Sequence, residues 1–155
     1  MAGTQRGSAA RTSGGVRPVT SERLEDHLRD RRLLVSRRED GVLLGEWQDM
    51  PFSIGLGGRE DSVLQVRGRW PRLLPARAGA GLAQLINDWN RDRVLPKVYS
   101  VPEGDAVAVV AETNLGVRFG ASDEQLTETI TLALSVTAQF FAGLEASVPP
   151  AREES

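Results

Sequence analysis

The stretch Val63-Leu64-Gln65-Val66-Arg67-Gly68-Arg69-Trp70 decides the fold. Leu64, Val66, Gly68 and Trp70 fall on one side of it, and Gln65, Arg67 and Arg69 on the other. Successive side chains of a strand point to opposite faces of a sheet. The alternation therefore reads as a strand with one face in a core and its arginines towards water or a partner.

Upstream the same logic gives a meander. Residues 33–36, 42–48 and 51–56 read as three further strands, turning at Glu39-Asp40-Gly41, near Asp49 and at Gly57-Gly58. Asp-Gly and Gly-Gly turns favour antiparallel hairpins. Pro51 suits the first residue of a strand or an edge, because proline cannot donate to a ladder. Downstream, Pro71 and Pro75 bracket a connector. Leu82, Leu85, Ile86 and Trp89 then recur at helical spacing over residues 77–93, with Gly79 and Gly81 weakening the first turns. Pro96 forces a break. Residues 97–101 and 106–113 read as two strands around the turn Pro102-Glu103-Gly104-Asp105.

Two helices close the pattern. The first starts after Pro18 with Thr20 or Ser21 as N-cap, buries Leu24 and Leu28, and ends in Arg29, Arg31 and Arg32. His27, beside Asp26, is expected to face solvent. The last runs from Ser122 or Asp123 to about Glu145, with Ser122 and Gln125 at capping-box spacing. Leu126, Ile130, Leu134, Thr137, Phe141 and Leu144 form one stripe on it, and Leu132, Val136 and Phe140 a second. So wide an apolar surface implies more than one neighbour: sheet and first helix, or a second copy of the chain. The order α-ββββ-α-ββ-α is α+β: an antiparallel sheet flanked by helices. Residues 1–17 and 148–155 carry too little apolar surface to offset ordering and read as disordered tails around one domain at residues 18–147.

Composition narrows the chemistry. The 155 residues are 40% hydrophobic and 26% charged, with net charge −2, so nothing global steers the chain to nucleic acid or anionic lipid. There is no cysteine and one histidine, which removes disulfides, thiolate nucleophiles and the usual zinc and iron sites. No apolar run is read as approaching the roughly 18 residues of a membrane span, and a cytoplasmic location without membrane contact is expected. Lys97 is the single lysine among 19 Lys and Arg. Catalytic signatures are missing: there is no G-x-S-x-G elbow and no Walker lysine, and the glycine runs lack the spacing of a dinucleotide loop.

Residues 63–70, then Leu85-Ile86-Asn87-Asp88-Trp89-Asn90-Arg91-Asp92-Arg93, then Leu95-Pro96-Lys97-Val98-Tyr99, carry a resemblance. The chain is similar to the YbjN family of bacterial sensory transduction regulators. That family shows a helix ending in an N-x-W-N-R-E-like run, followed by Pro-Lys and an aromatic. Asn87, Trp89, Asn90, Arg91, Pro96 and Lys97 match; Asp92 replaces the usual Glu, and Val94 replaces a common aromatic. The resemblance covers about residues 20–145. It implies a fold like the type III secretion chaperones, with a twisted antiparallel sheet flanked by helices. It also implies a non-enzymatic protein, often a homodimer, linked to regulatory or stress responses. With the usual metal ligands and nucleotide loops missing, no cofactor is expected.

Asn87, Asn90, Arg91 and Lys97, with Arg67 and Arg69, are the candidate partner-docking patch. Such a patch would suit an acidic or extended protein segment, with strand addition as a mode if a sheet edge lies beside it. The competing reading is structural. Trp89 anchors helix to sheet, Asn90 satisfies backbone groups, and Arg91 pairs with Asp88 or Asp92. The expected function is a protein-binding regulatory or chaperone-like domain, paired through the last helix or a sheet edge. A nucleic-acid-binding regulator using the arginine-rich surfaces is the alternative.

Overall fold

Seven strands form one antiparallel sheet in the computed structural model, which describes residues 15–149. The elements run α1 (Ser21–Asp30), β1 (Val35–Arg37), β2 (Leu43–Trp47), β3 (Met50–Gly57), β4 (Val63–Arg69), β5 (Leu74–Pro75), α2 (Gly79–Asp92), β6 (Lys97–Glu103), β7 (Ala106–Gly116) and α3 (Asp123–Ser147). The first four strands make the expected meander. β7 then pairs with β4 on one side and β6 on the other.

β5 falls inside the connector read between Pro71 and Pro75. It continues the line of β4 along β7: Trp70 N–H reaches Val109 O at 3.0 Å, and Leu74 pairs with Val107. The chain between them bulges by two extra residues, which is where Pro71 sits without having to donate to the ladder.

The turns explain the registers. Gln48 and Asp49, with φ of 51° and 61°, make the two-residue link of β2 to β3; two left-handed central residues match the twist of a hairpin. Gly104, at φ 57°, opens the two-residue link of β6 to β7.

Cross-strand partners share a face. Leu43, Ile54, Val66 and Thr113 form one row on the helix side, and Phe52, Gly68, Ala111 and Val98 another. All are buried. A Cβ at Gly68 would run into Thr137 of α3 and reach contact distance of Phe141, so glycine lets that helix lie close on the sheet. α3 buries its whole first stripe there, and Phe140 meets Trp89 of α2 edge-on at 4.8 Å between ring centroids. Both predicted capping-box bonds are present: Gln125 N–H donates to Ser122 Oγ at 3.1 Å, and Ser122 N–H to Gln125 Oε1 at 2.8 Å.

Of the second stripe, Phe140 is buried, Val136 is half-buried and Leu132 is exposed. α3 runs two residues past the predicted end near Glu145. Its best 18-residue window has mean hydropathy 1.3, enough by length and composition alone to cross a membrane. Here its apolar stripe covers the sheet instead.

α1 lies beside α3 on the same face of the sheet. His27 was expected in solvent, but it is buried, 5% exposed, with Nε2 3.3 Å from Thr127 Oγ1 of α3. The helical phase is the cause: three residues after Leu24 and next to Leu28, it falls at the edge of the buried stripe. Glu25 is buried as well, bonded by Arg29 and by Arg37 Nε at 2.7 Å.

The domain also starts earlier than expected. Arg17, placed in the tail by the sequence reading, pairs with Ala121 through both backbone bonds and holds Asp123 at 3.0 and 3.1 Å. At the other end, Val148 packs half-buried on the core, and Pro149 O accepts from Arg72 at 2.7 Å. Residues 1–14 and 150–155 of the predicted tails lie outside those described.

Candidate functional site

The six residues of the expected patch do not come together. Asn87, Asn90 and Arg91 sit on α2, on the helix side of the sheet, whereas Arg67, Arg69 and Lys97 point from the opposite face.

The helix-side group is largely structural. Asn90 clamps the edge strand: Nδ2 donates to Val98 O at 2.9 Å, and Val98 N–H donates to Asn90 Oδ1 at 3.0 Å. One side-chain amide thus replaces the peptide of a missing neighbour strand. Trp89 is half-buried, donates Nε1–H to Pro96 O at 3.2 Å and carries Arg93 over its ring at 4.3 Å. Arg91 bonds Asp88 at 3.1 Å and Asp92 at 2.9 Å, and its hydrogen bond holds the Asp92 carboxyl below its ordinary value. Asn87 is exposed.

The clamp bears on strand addition at β6. Only alternate residues of an edge strand turn both backbone groups outward. In the unbroken register with β7 these are Val98, Ser100 and Pro102. Asn90 occupies Val98, and Pro102 has no N–H, which leaves Ser100 as the one fully available residue.

The opposite face of the sheet is organised around Glu112. Arg67, Glu112 and Lys97 form one row across β4, β7 and β6, and Arg69, Val110 and Tyr99 form the next. Glu112 is only 8% exposed. Arg67 Nε donates to its Oε2 at 2.7 Å, Tyr99 Oη to the same oxygen at 2.9 Å, and Asn114 Nδ2 to Oε1 at 2.8 Å. Burial pushes the carboxyl up, but these three bonds and the Arg67 charge outweigh it and hold Glu112 below its ordinary value. Burial, then the bond to Glu112, pushes the Tyr99 hydroxyl up. Arg69 pairs with Glu103 at the hairpin end. Lys97 has no ion pair among the described residues.

Chemically this face combines a hydrogen-bonded polar network with apolar and cationic side chains. Tyr99, Val101, Val110 and Pro51 are half-buried on it, and Arg67, Arg69 and Lys97 are exposed at their margin. Sequence reasoning found its three cations but missed Glu112, Tyr99 and Asn114. The signal was available: Glu112 is an acid that directly follows the apolar run 106–111 within the predicted strand. Among the described residues, no three His, Asp or Glu side chains gather as metal ligands.

Comparison with known proteins places the chain. A protein-family model, YbjN, described as "Putative bacterial sensory transduction regulator", matches residues 20–146. The crystal structure of YbjN from E. coli, described as a putative transcription regulator, superposes with TM-score 0.75 at 14% identity, covering 86% of this chain and 96% of that one. An uncharacterized protein from Methanothermobacter thermautotrophicus superposes with TM-score 0.59 at 12% identity, covering 84% of this chain and 100% of the other. No curated protein matches the sequence. At such identities the two structures speak for the fold alone, but the family match spans almost the whole domain, and the chain belongs to the YbjN family.

Proposed function

We propose that this chain is a non-enzymatic regulatory domain, chaperone-like in action, that docks a protein partner on the helix-free face of its sheet. The observation that carries the reading is the Glu112 network. A buried carboxylate with three donors fixes Arg67 and Tyr99 in place, so a partner would meet a preorganised surface. An apolar centre around Tyr99, Val101 and Val110 with arginines and a lysine at its margin has the composition of a protein interface. The family's description as regulators fits this use, and the absence of cysteine suits a cytoplasmic setting.

A second copy of the chain is a weaker match to α3 or to the β6 edge. Leu132 is the one large apolar residue exposed on α3 among those described, and Ser100 is the one open residue at β6. A stable interface needs about 800 Å² from each partner. Nucleic acid is the competing partner, because the E. coli neighbour is described as a putative transcription regulator. Against it, Arg67, Arg69 and Lys97 share their face with Glu112, Glu103 and Glu46, so no net positive field results.

The test is co-purification from the host with mass spectrometry, comparing wild type, Arg67→Ala/Lys97→Ala and Asn87→Ala/Arg91→Ala. A partner lost only from the sheet-face variant supports the reading. A partner lost only from the α2 variant, or binding to DNA or RNA that weakens steeply with salt, refutes it.

A further inference from the structure

A cleft of about 370 Å³ lies between α1 and α3, on the side of the molecule away from the Glu112 face. Its walls are apolar: Leu28, Leu33, Trp47, Ile130 and Leu134. The polar groups that line it are His27, Thr127, Thr131 and Arg31. The volume is that of a small-molecule site, and such sites combine apolar walls with a few placed polar groups.

The charges around the cleft select the occupant. His27 is buried, and burial, then the neighbouring Arg31 charge, lowers its pKa, so it stays neutral near pH 7. Its Nε2 is engaged by Thr127 Oγ1. Arg31 is then the one charged group lining the cleft among the described residues. Its guanidinium donates to His27 O at 3.1 Å and has no carboxylate within ion-pairing distance among those residues. Arg31 and His27 also border an adjoining polar cavity that holds Asp26, Asp30 and Asp123; these aspartates do not line the cleft, and Asp123 is held by Arg17 and Arg23. An apolar slot whose one charge among the described residues is an arginine with no ion pair among them is complementary to an apolar body carrying an anionic head.

We infer that the α1–α3 cleft binds a small amphipathic monocarboxylate, its hydrocarbon between Trp47 and α3 and its carboxylate on Arg31. At the roughly 30 Å³ share of a water molecule per heavy atom, the cleft holds on the order of a dozen heavy atoms. That is the size of a medium-chain carboxylate. Such a site would give this domain an input separate from its sheet face, and it stands independently of the docking reading.

The test is titration of the full chain with octanoate, 1-octanol and octylamine, followed by tryptophan fluorescence and thermal melting. Octanoate is expected to saturate, shift the Trp47 emission and raise Tm, with octanol and octylamine at least about tenfold weaker, the scale of a charge-assisted hydrogen bond. Arg31→Gln should weaken octanoate about tenfold and leave octanol unchanged. Thr131→Phe, an exposed position on the lining of the cleft, should block octanoate without loss of helicity by circular dichroism. The comparison of ligands on the wild-type chain decides the charge requirement whatever the stability of Arg31→Gln. Equal binding of octanoate and octanol, no octanoate binding at millimolar concentration, or binding that Thr131→Phe leaves intact overturns the inference.

Discussion

Replacing Asn90 by Ala removes a side chain that is itself exposed, yet the structure makes it costly. Val98, 1% exposed, loses the partners of both its N–H and its C=O. Each net hydrogen bond is worth about 0.5–1.5 kcal/mol, so the pair amounts to about 1–3 kcal/mol. Water can reach the opened edge, which argues for the lower half of that range. For a domain of this size the expected fall in Tm is about 3–8 °C. Asn90→Asp is the informative companion. Its carboxylate still accepts from Val98 N–H but faces Val98 O with no proton to donate. It should be no more stable than Asn90→Ala at neutral pH and recover part of the loss once protonated below about pH 4. The assay is thermal melting with amide hydrogen exchange, read at Val98. If Asn90→Ala melts with wild type and the Val98 amide stays equally protected, the clamp is not structural and this reasoning fails.

Other perturbations probe other parts of the fold. Gly68→Ala should cost about 1–3 kcal/mol, because its methyl would press on Thr137 of α3 and lie 3.1 Å from Met50 Sδ; an unchanged melting curve would contradict that close packing. Glu112→Gln should cost about 1–3 kcal/mol at neutral pH, discounted for the solvent around Arg67. Because the folded-state pKa of Glu112 is lowered, its contribution is present above the ordinary value of 4.5 and fades as pH falls below it, so the two melting curves should converge in acid. His27 is lowered from 6.5, so the unfolded chain binds its proton first and stability drops as pH falls through 6.5. His27→Gln should lack that component when melted between about pH 7.5 and pH 5.5; an identical pH slope would refute the burial argument.

The strongly periodic parts of the fold were legible in the sequence. The alternation in residues 63–70, the stripe of α3 and its Ser122–Gln125 box all map directly onto buried and capped positions. β5 was not legible, since a two-residue strand ending in Pro75 carries no period and pairs only because β7 extends past β4. His27 was misplaced because its charge-prone side chain was weighed above its helical phase. The docking patch joined the segment 87–97 to two arginines of β4, and the fold divides that segment: the chain turns from α2 into β6 and points Lys97 away from Asn90. The Glu112 network joins residues 45 apart in Arg67 and Glu112, a distance at which only the strand register supplies the link.

Whether the helix-free sheet face is the working surface is tested most directly by site-specific photocrosslinking in the host. A photoreactive residue at Lys97, on the sheet face, is compared with one at Asn87, on α2. The account predicts a discrete partner adduct from position 97 that Arg67→Ala diminishes, and none from position 87. An adduct from position 87 with none from position 97 would contradict it.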